Sequence, residues 1–97
     1  MLVKIIEPSE IELNDAFEYY ENELDGLGDR FIDEFNDAVN RILKHPHAWS
    51  SVKNNVRKCI LKKFPFKIIY AVHDKLIVIL AIAHQRRHPD YWIDRLN

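Results

Sequence analysis

Residues 76–83, LIVILAIA, contain no charged or polar side chain, and this limits the fold more than any other stretch of the chain. Eight residues fall well short of a membrane span, which takes roughly 18–20 apolar residues. The run is also short for a buried helix and rich in β-branched side chains, so a strand is expected. A strand that is apolar on both faces must lie inside a sheet and be covered on both sides. The rest of the chain has to supply neighbouring strands, one full layer of cover, and something smaller, or a second molecule, on the opposite face.

The flanking pattern supplies these parts. Residues 2–6, LVKII, are a short β-branched run ended by Glu7-Pro8, expected as a buried first strand. Ser9 stands three before Glu12, the spacing of a capping box, and predicts the start of a helix there. Leu13, Ala16, Phe17, Tyr20 and Leu24 then form one apolar stripe on an acidic cylinder, stopped by Asp25-Gly26-Leu27-Gly28. Phe31, Phe35, Ala38, Val39 and Ile42 form a second stripe that ends near His45, because Pro46 disfavours a helical residue before it. Two antiparallel helices joined by a short turn follow from this. After the HPHAW loop the period changes to two: 56–62, 66–73 and 76–83 predict three strands in a meander, punctuated by Phe64-Pro65 and His73-Asp74-Lys75. Residues 89–96 predict a short closing helix with Pro89 in its first turn. The fold class is α+β: an N-terminal strand, an antiparallel helical hairpin, a three-stranded antiparallel meander and a short C-terminal helix.

The chain's 97 residues, 47% of them apolar, make one domain (1–97) with a real core. The lone Cys59 cannot form an internal disulfide, and the MLVKIIEPSE start has too short an apolar patch for a signal peptide. A cytoplasmic protein without membrane association is expected. With two glycines, both used at the helix turn, no glycine-rich phosphate loop can form. The carboxylates are spread around two helices, away from the basic half, which argues against paired-carboxylate hydrolysis. Kinases, NTPases and glycosidases are thereby set aside, and no cofactor is expected.

The net charge of −1 conceals a split. Residues 1–48 carry twelve acidic and four basic side chains, whereas residues 49–97 carry three acidic and ten basic. One reading is two solvated faces that differ in sign; the sharper one is that the second half faces a polyanion or an acidic partner. Lys58, Lys62 and Lys63 fit either reading, since lysines also protect strand edges.

Chemistry-bearing residues concentrate in HQRRHPDYW, 84–92. Arg86 and Arg87 suit partner binding or an active site, or a structural ion pair with Asp90 or Asp94. Tyr91 and Trp92 suit packing of the last segment onto the sheet. His84 and His88 have a zinc-compatible spacing only on a helix, which Pro89 and the preceding strand oppose, and nothing completes a ligand set; no metal site is expected. His45 and His47 read as capping or surface residues, and Cys59 as a small core residue.

The element order, with the EPSEIELNDAFEYYENELDGLGDRFIDEFNDAVNRI hairpin, the HPHAW loop, RKCILKKFPFKIIYAV and the close AHQRRHPDYWIDRL, resembles the RelE/ParE superfamily of bacterial toxins. The RR.PDYW close is most similar to the ParE-like, plasmid-stabilisation branch. The resemblance implies the toxin of a type II toxin-antitoxin module, held inactive by an adjacently encoded antitoxin whose extended segment wraps the domain. It implies a target of one of two kinds, DNA gyrase or messenger RNA on the ribosome.

RNA cleavage without a metal needs cations around the phosphorus and groups that move protons. By the resemblance these would be Lys67, Arg86, Arg87 and Tyr91. The ribonuclease branch typically carries arginine where Lys67 stands, and lysine lacks arginine's planar two-point grip on phosphate. The leading expectation is therefore a gyrase-directed or other protein-binding action, with Lys58, Lys62, Lys63, Arg86 and Arg87 as binding residues. Ribosome-dependent RNA cleavage is the rival, and an inactive homologue kept for antitoxin binding and autoregulation is the third reading.

Overall fold

The computed structural model describes residues 1–96. The LIVILAIA run lies in β5 (Leu76–His84), flanked on both sides by other strands, as its composition requires. Before it come β1 (Leu2–Ile5), α1 (Glu7–Glu23), α2 (Leu27–Lys44), β2 (Ser50–Lys53), β3 (Val56–Ile60) and β4 (Phe66–His73); a 3₁₀ turn, Ile93–Leu96, follows. The five strands run in the order β1-β5-β4-β3-β2, with β1 parallel to β5 and every other pairing antiparallel.

Both faces of β5 are buried, in different ways. The helical hairpin covers one face, where Ala16, Phe31, Phe35, Ala38 and Ile42 meet Cys59, Ile68, Tyr70, Ile77, Ile79 and Ile82. The smaller cover on the other face is Trp92, only 1% exposed, over Val56, Ile69, Ala71, Leu80 and Ala81. A register shift makes this division possible. Tyr70 pairs with Ile79 but Ile69 with Ala81, leaving Leu80 as an extra residue on β5. Leu80 and Ala81 therefore both face Trp92, and Ile82 returns to the hairpin side.

The hairpin turn uses its two glycines differently. Gly26, at φ 87°, takes the left-handed conformation that starts α2. At Gly28 the helices nearly touch: an added Cβ would stand 2.7 Å from the Phe17 carbonyl oxygen. The Glu21 carboxylate accepts the N–H groups of Gly26 and Gly28, both at 2.9 Å, so α1 caps α2. Gly28→Ala is expected to lose about 1–3 kcal/mol of stability, read by urea denaturation, because backbone has to move. An unchanged midpoint would show that the turn relaxes freely.

Several expectations need correction. The first strand is an edge, with Leu2 74% exposed, because only β5 lies beside it. The meander has a fourth strand, β2, joined to β3 by the two-residue Asn54-Asn55 turn, in which Asn54 has φ 50°. The strand expected over 56–62 ends at Ile60, so Lys62 and Lys63 lie in the following loop. The C-terminal helix expected over 89–96 is a series of turns closing in the 3₁₀ turn, since seating the Trp92 indole against the sheet takes precedence over helix continuation. Ser9 and Glu12 do not form a capping box: α1 starts two residues earlier, at Glu7, after Ile6.

The HPHAW loop is pinned from the sheet. Tyr70 donates its hydroxyl to the Pro46 carbonyl at 2.8 Å, and Arg57 donates to the Trp49 carbonyl at 2.8 Å. Burial, with the Cys59 thiol nearby, pushes the Tyr70 hydroxyl up to about 12. Burial also raises the Cys59 thiol, keeping it a neutral core group, as its strand position suggests.

Candidate functional site

β5 outruns its neighbour. The last β1 pairing is Ile5 with Ile79, and beyond it the outer edge of β5 has no strand beside it. Unpaired backbone groups at this depth are costly, and side chains take the missing strand's place. Ser9, fully buried, donates its hydroxyl to the Ile79 carbonyl at 3.0 Å. Glu12 accepts the Ile82 N–H at 3.0 Å, and Arg95 donates to the Leu80 carbonyl at 3.0 Å. The Leu80 bulge presents the groups that Arg95 and Glu12 satisfy.

Glu12 thereby becomes the centre of a network that ties α1 to β5 and to the chain's last turn. Its Oε1 also accepts from Arg95 Nη1 at 2.9 Å; its Oε2 accepts from Arg95 Nη2 at 3.1 Å and from the Tyr91 hydroxyl at 2.7 Å. This two-pronged pair is the one ion pair among the described residues. Burial, reinforced by the hydrogen bond to Glu12 and its charge, holds the Tyr91 hydroxyl well above the ordinary tyrosine value. The hydrogen bonds that Arg95 donates to Glu12 hold its guanidinium still more firmly in the charged form.

On this platform stands Arg87. Its guanidinium carbon lies 3.9 Å from the centroid of the Tyr91 ring, a cation–π contact, while the residue as a whole remains exposed. Arg87 and His84 form one side of a hollow of about 610 Å³. Ala16, Tyr20, Phe66 and Ile82 line it with apolar surface, and Glu12, Asp15 and Tyr19 face it from α1. Two turns set the approach: His84 Nδ1 accepts the Arg86 N–H at 3.1 Å, and His88 Nδ1 accepts the Asp90 N–H at 3.2 Å.

The expected site residues divide into three places. Arg87 and Tyr91 are brought together, with Arg86 exposed in the turn before them. Although the acidic and basic halves are separate in sequence, Arg87 shares its hollow with Glu12 and Asp15 of α1. The alternative for Arg86 and Arg87, an ion pair with Asp90 or Asp94, is not formed among the described residues; the ion pair near this turn is Arg95 with Glu12. Lys58 and Lys67 occupy a second place. Strand alternation puts both on the face opposite the hairpin, since Cys59 and Ile68 beside them face the helices. Ile60 pairs directly with Lys67 and is 52% exposed, so the two lysines flank an apolar side chain. Among the described residues, Lys67 joins neither Arg87 nor Tyr91 by a hydrogen bond or cation–π contact. Lys62 and Lys63 form the third place, a groove on α2 with Asp33, Glu34 and Asp37, where the Lys63 N–H donates to the Glu34 carboxylate at 2.9 Å. Arg30 and Arg41 line the same groove, so Lys62 and Lys63 belong to a mixed-charge surface on α2 apart from the other two clusters.

Sequence reasoning missed Glu12 and Arg95. The signal for Glu12 was present, but Ser9-x-x-Glu12 reads identically for a capping box and for two polar residues one helical turn apart facing a strand edge.

Comparison with known proteins agrees with this architecture. The chain is 33% identical over 82 residues to Toxin ParE2 of Mycobacterium tuberculosis, in strains CDC 1551 / Oshkosh and ATCC 25618 / H37Rv, covering 84% of this chain and 78% of each relative. A solved structure titled "Chromosomal ParDE TA system from P. aeruginosa" superposes with a TM-score of 0.71 at 22% identity, covering 87% of this chain and 95% of that one, and establishes likeness of fold. Residues 3–89 match the family described as ParE toxin of type II toxin-antitoxin system, parDE. The chain therefore belongs to the ParE toxin family of type II toxin-antitoxin systems.

Proposed function

We propose that this toxin inhibits growth by docking on a protein target, DNA gyrase, through Arg87 and the turn that carries it, and that a cognate antitoxin neutralises it. The observation that carries this reading is the state of Tyr91. A ribonuclease of this design needs a group that exchanges a proton with the substrate near neutral pH. The Tyr91 hydroxyl is instead engaged, donating to Glu12 at 2.7 Å, and its ring face is taken up by Arg87. Arg86 and Arg87 are exposed cations on a fixed turn, well suited to an acidic or phosphate-bearing surface.

The test is induction of the full chain without antitoxin, followed by mapping of RNA ends and of chromosome breaks. Arrested growth with intact messages and double-strand breaks is expected. Cuts in codon register would instead favour ribosome-dependent cleavage of messenger RNA, and unimpaired growth would favour an inactive homologue.

The lysines flanking Ile60 support a second part of the reading. An antitoxin segment that crosses this face is acidic opposite Lys58 and Lys67 and apolar over Ile60, gaining rapid association from charge and affinity from burial. The paired charge reversal Lys58→Glu with Lys67→Glu is expected to slow antitoxin association by about tenfold at low salt, with little effect in high salt. Equal association rates at low salt would remove this face from the interface.

A further inference from the structure

Glu12 is half-buried at the margin of the hollow it shares with Arg87, and more of the chain's long-range hydrogen bonds converge on it than on any other side chain among the described residues. Both oxygens are occupied: Oε1 by the Ile82 N–H and Arg95, Oε2 by Tyr91 and Arg95. What it offers Arg87 therefore passes through the Tyr91 ring, whose hydroxyl it holds at 2.7 Å and whose face lies 3.9 Å from the Arg87 guanidinium carbon. An exposed arginine samples many rotamers, and losing that freedom on binding weakens the complex. A ring anchored at its far end restricts the sampling before binding. Stacking on an unanchored ring would restrict it less, because ring and guanidinium could move together.

We infer that Glu12 is a positioning residue for target recognition: by fixing the Tyr91 ring through its hydroxyl, it holds the Arg87 guanidinium in its binding orientation. The inference rests on the proposed role of Arg87. Arg95 completes the device, because its two-pronged grip sets the carboxylate plane so that Oε2 faces the Tyr91 hydroxyl. The near-isosteric change Glu12→Gln keeps an acceptor for the Ile82 N–H but removes the charge that grips Arg95 and Tyr91.

The test uses the full chain, co-produced with its antitoxin and then separated from it. In arginine-labelled protein, the Arg87 side-chain resonances are expected upfield of those of Arg86, because they lie over an aromatic face. That displacement is expected to collapse in Glu12→Gln and to diminish in Tyr91→Phe, which keeps the ring but loses its anchor. A folded protein that was merely less stable would keep the displacement. In a gyrase supercoiling assay, Glu12→Gln is expected to weaken inhibition by about tenfold in the wild-type background and by less than about twofold in Arg87→Ala, the non-additivity of residues acting as one unit.

An Arg87 resonance unmoved by both Glu12→Gln and Tyr91→Phe overturns the inference, as does an equal loss in both backgrounds. Full inhibition by Arg87→Ala removes the recognition role and the positioning role with it, while the resonance still reports whether Glu12 orders the side chain. Should Glu12→Gln fail to fold, Tyr91→Phe, which leaves the Glu12–Arg95 pair intact, decides the matter by both readouts.

Discussion

Trp92→Ala is expected to lower the unfolding free energy by about 3–5 kcal/mol, among the largest losses a single substitution can cause here. The indole is 1% exposed and covers Val56, Ile69, Ala71, Leu80 and Ala81 on the sheet face that the helices do not reach. Its removal opens that face to water instead of leaving a sealed cavity. The surrounding segment has only a four-residue 3₁₀ turn with which to close the gap. The indole N–H, which donates to the Pro89 carbonyl at 2.6 Å, also fixes the turn carrying Arg87 and Tyr91. Domains of this size are held by about 5–15 kcal/mol in all, so the variant approaches the limit of folding. Calorimetry should show a fall in Tm of roughly 12 °C or more. A fall of a few degrees would mean that Tyr91 and Ile93 close over the sheet unaided.

Glu12→Ala has the second largest expected effect. It strands three groups at once: the Ile82 N–H, the Tyr91 hydroxyl and the half-buried Arg95 guanidinium. An isolated charge left by a broken buried pair can cost about 3–5 kcal/mol, but Arg95 keeps some contact with water and its bond to the Leu80 carbonyl, so about 2–3 kcal/mol is expected. Tyr91 supplies a second readout. Its proton is held more tightly in the native chain than in the unfolded one, so its share of the stability is fully present below the ordinary tyrosine value near pH 10 and is lost as pH rises through the native value. In Glu12→Ala the tyrosinate absorbance of Tyr91 should develop at lower pH than in the native protein. An unchanged alkaline titration would mean that burial alone holds the proton.

How far residues can be read in advance depends on where their partners lie. The position of β5 followed from its own side chains, because no alternative places LIVILAIA out of water. The hairpin followed from stripes within each helix. β2 did not: Ser50–Lys53 is exposed throughout, and exposed residues carry no face pattern. The Asn54-Asn55 pair was its available signal, a turn whose two arms were not both recognised. The site divided in the same way. Arg87 and Tyr91, four positions apart, could be paired from local sequence, but whether Arg87 would face the lysines or α1 depended on the path of the turn. The partners of Glu12 stand 70 to 83 positions away, and no local spacing encodes that distance.

Those separations bear on how the chain is made. On a ribosome the amino end emerges first, yet β1 pairs only with β5, and Glu12 meets Arg95 83 residues later. At roughly 5–20 residues per second, the first strand and helix wait about 4–17 s for the partners that complete them. The turn that carries Arg87 and Tyr91 follows all five strands and closes on Glu12 through Arg95, so it cannot be completed until Arg95, 83 positions after Glu12, has been made.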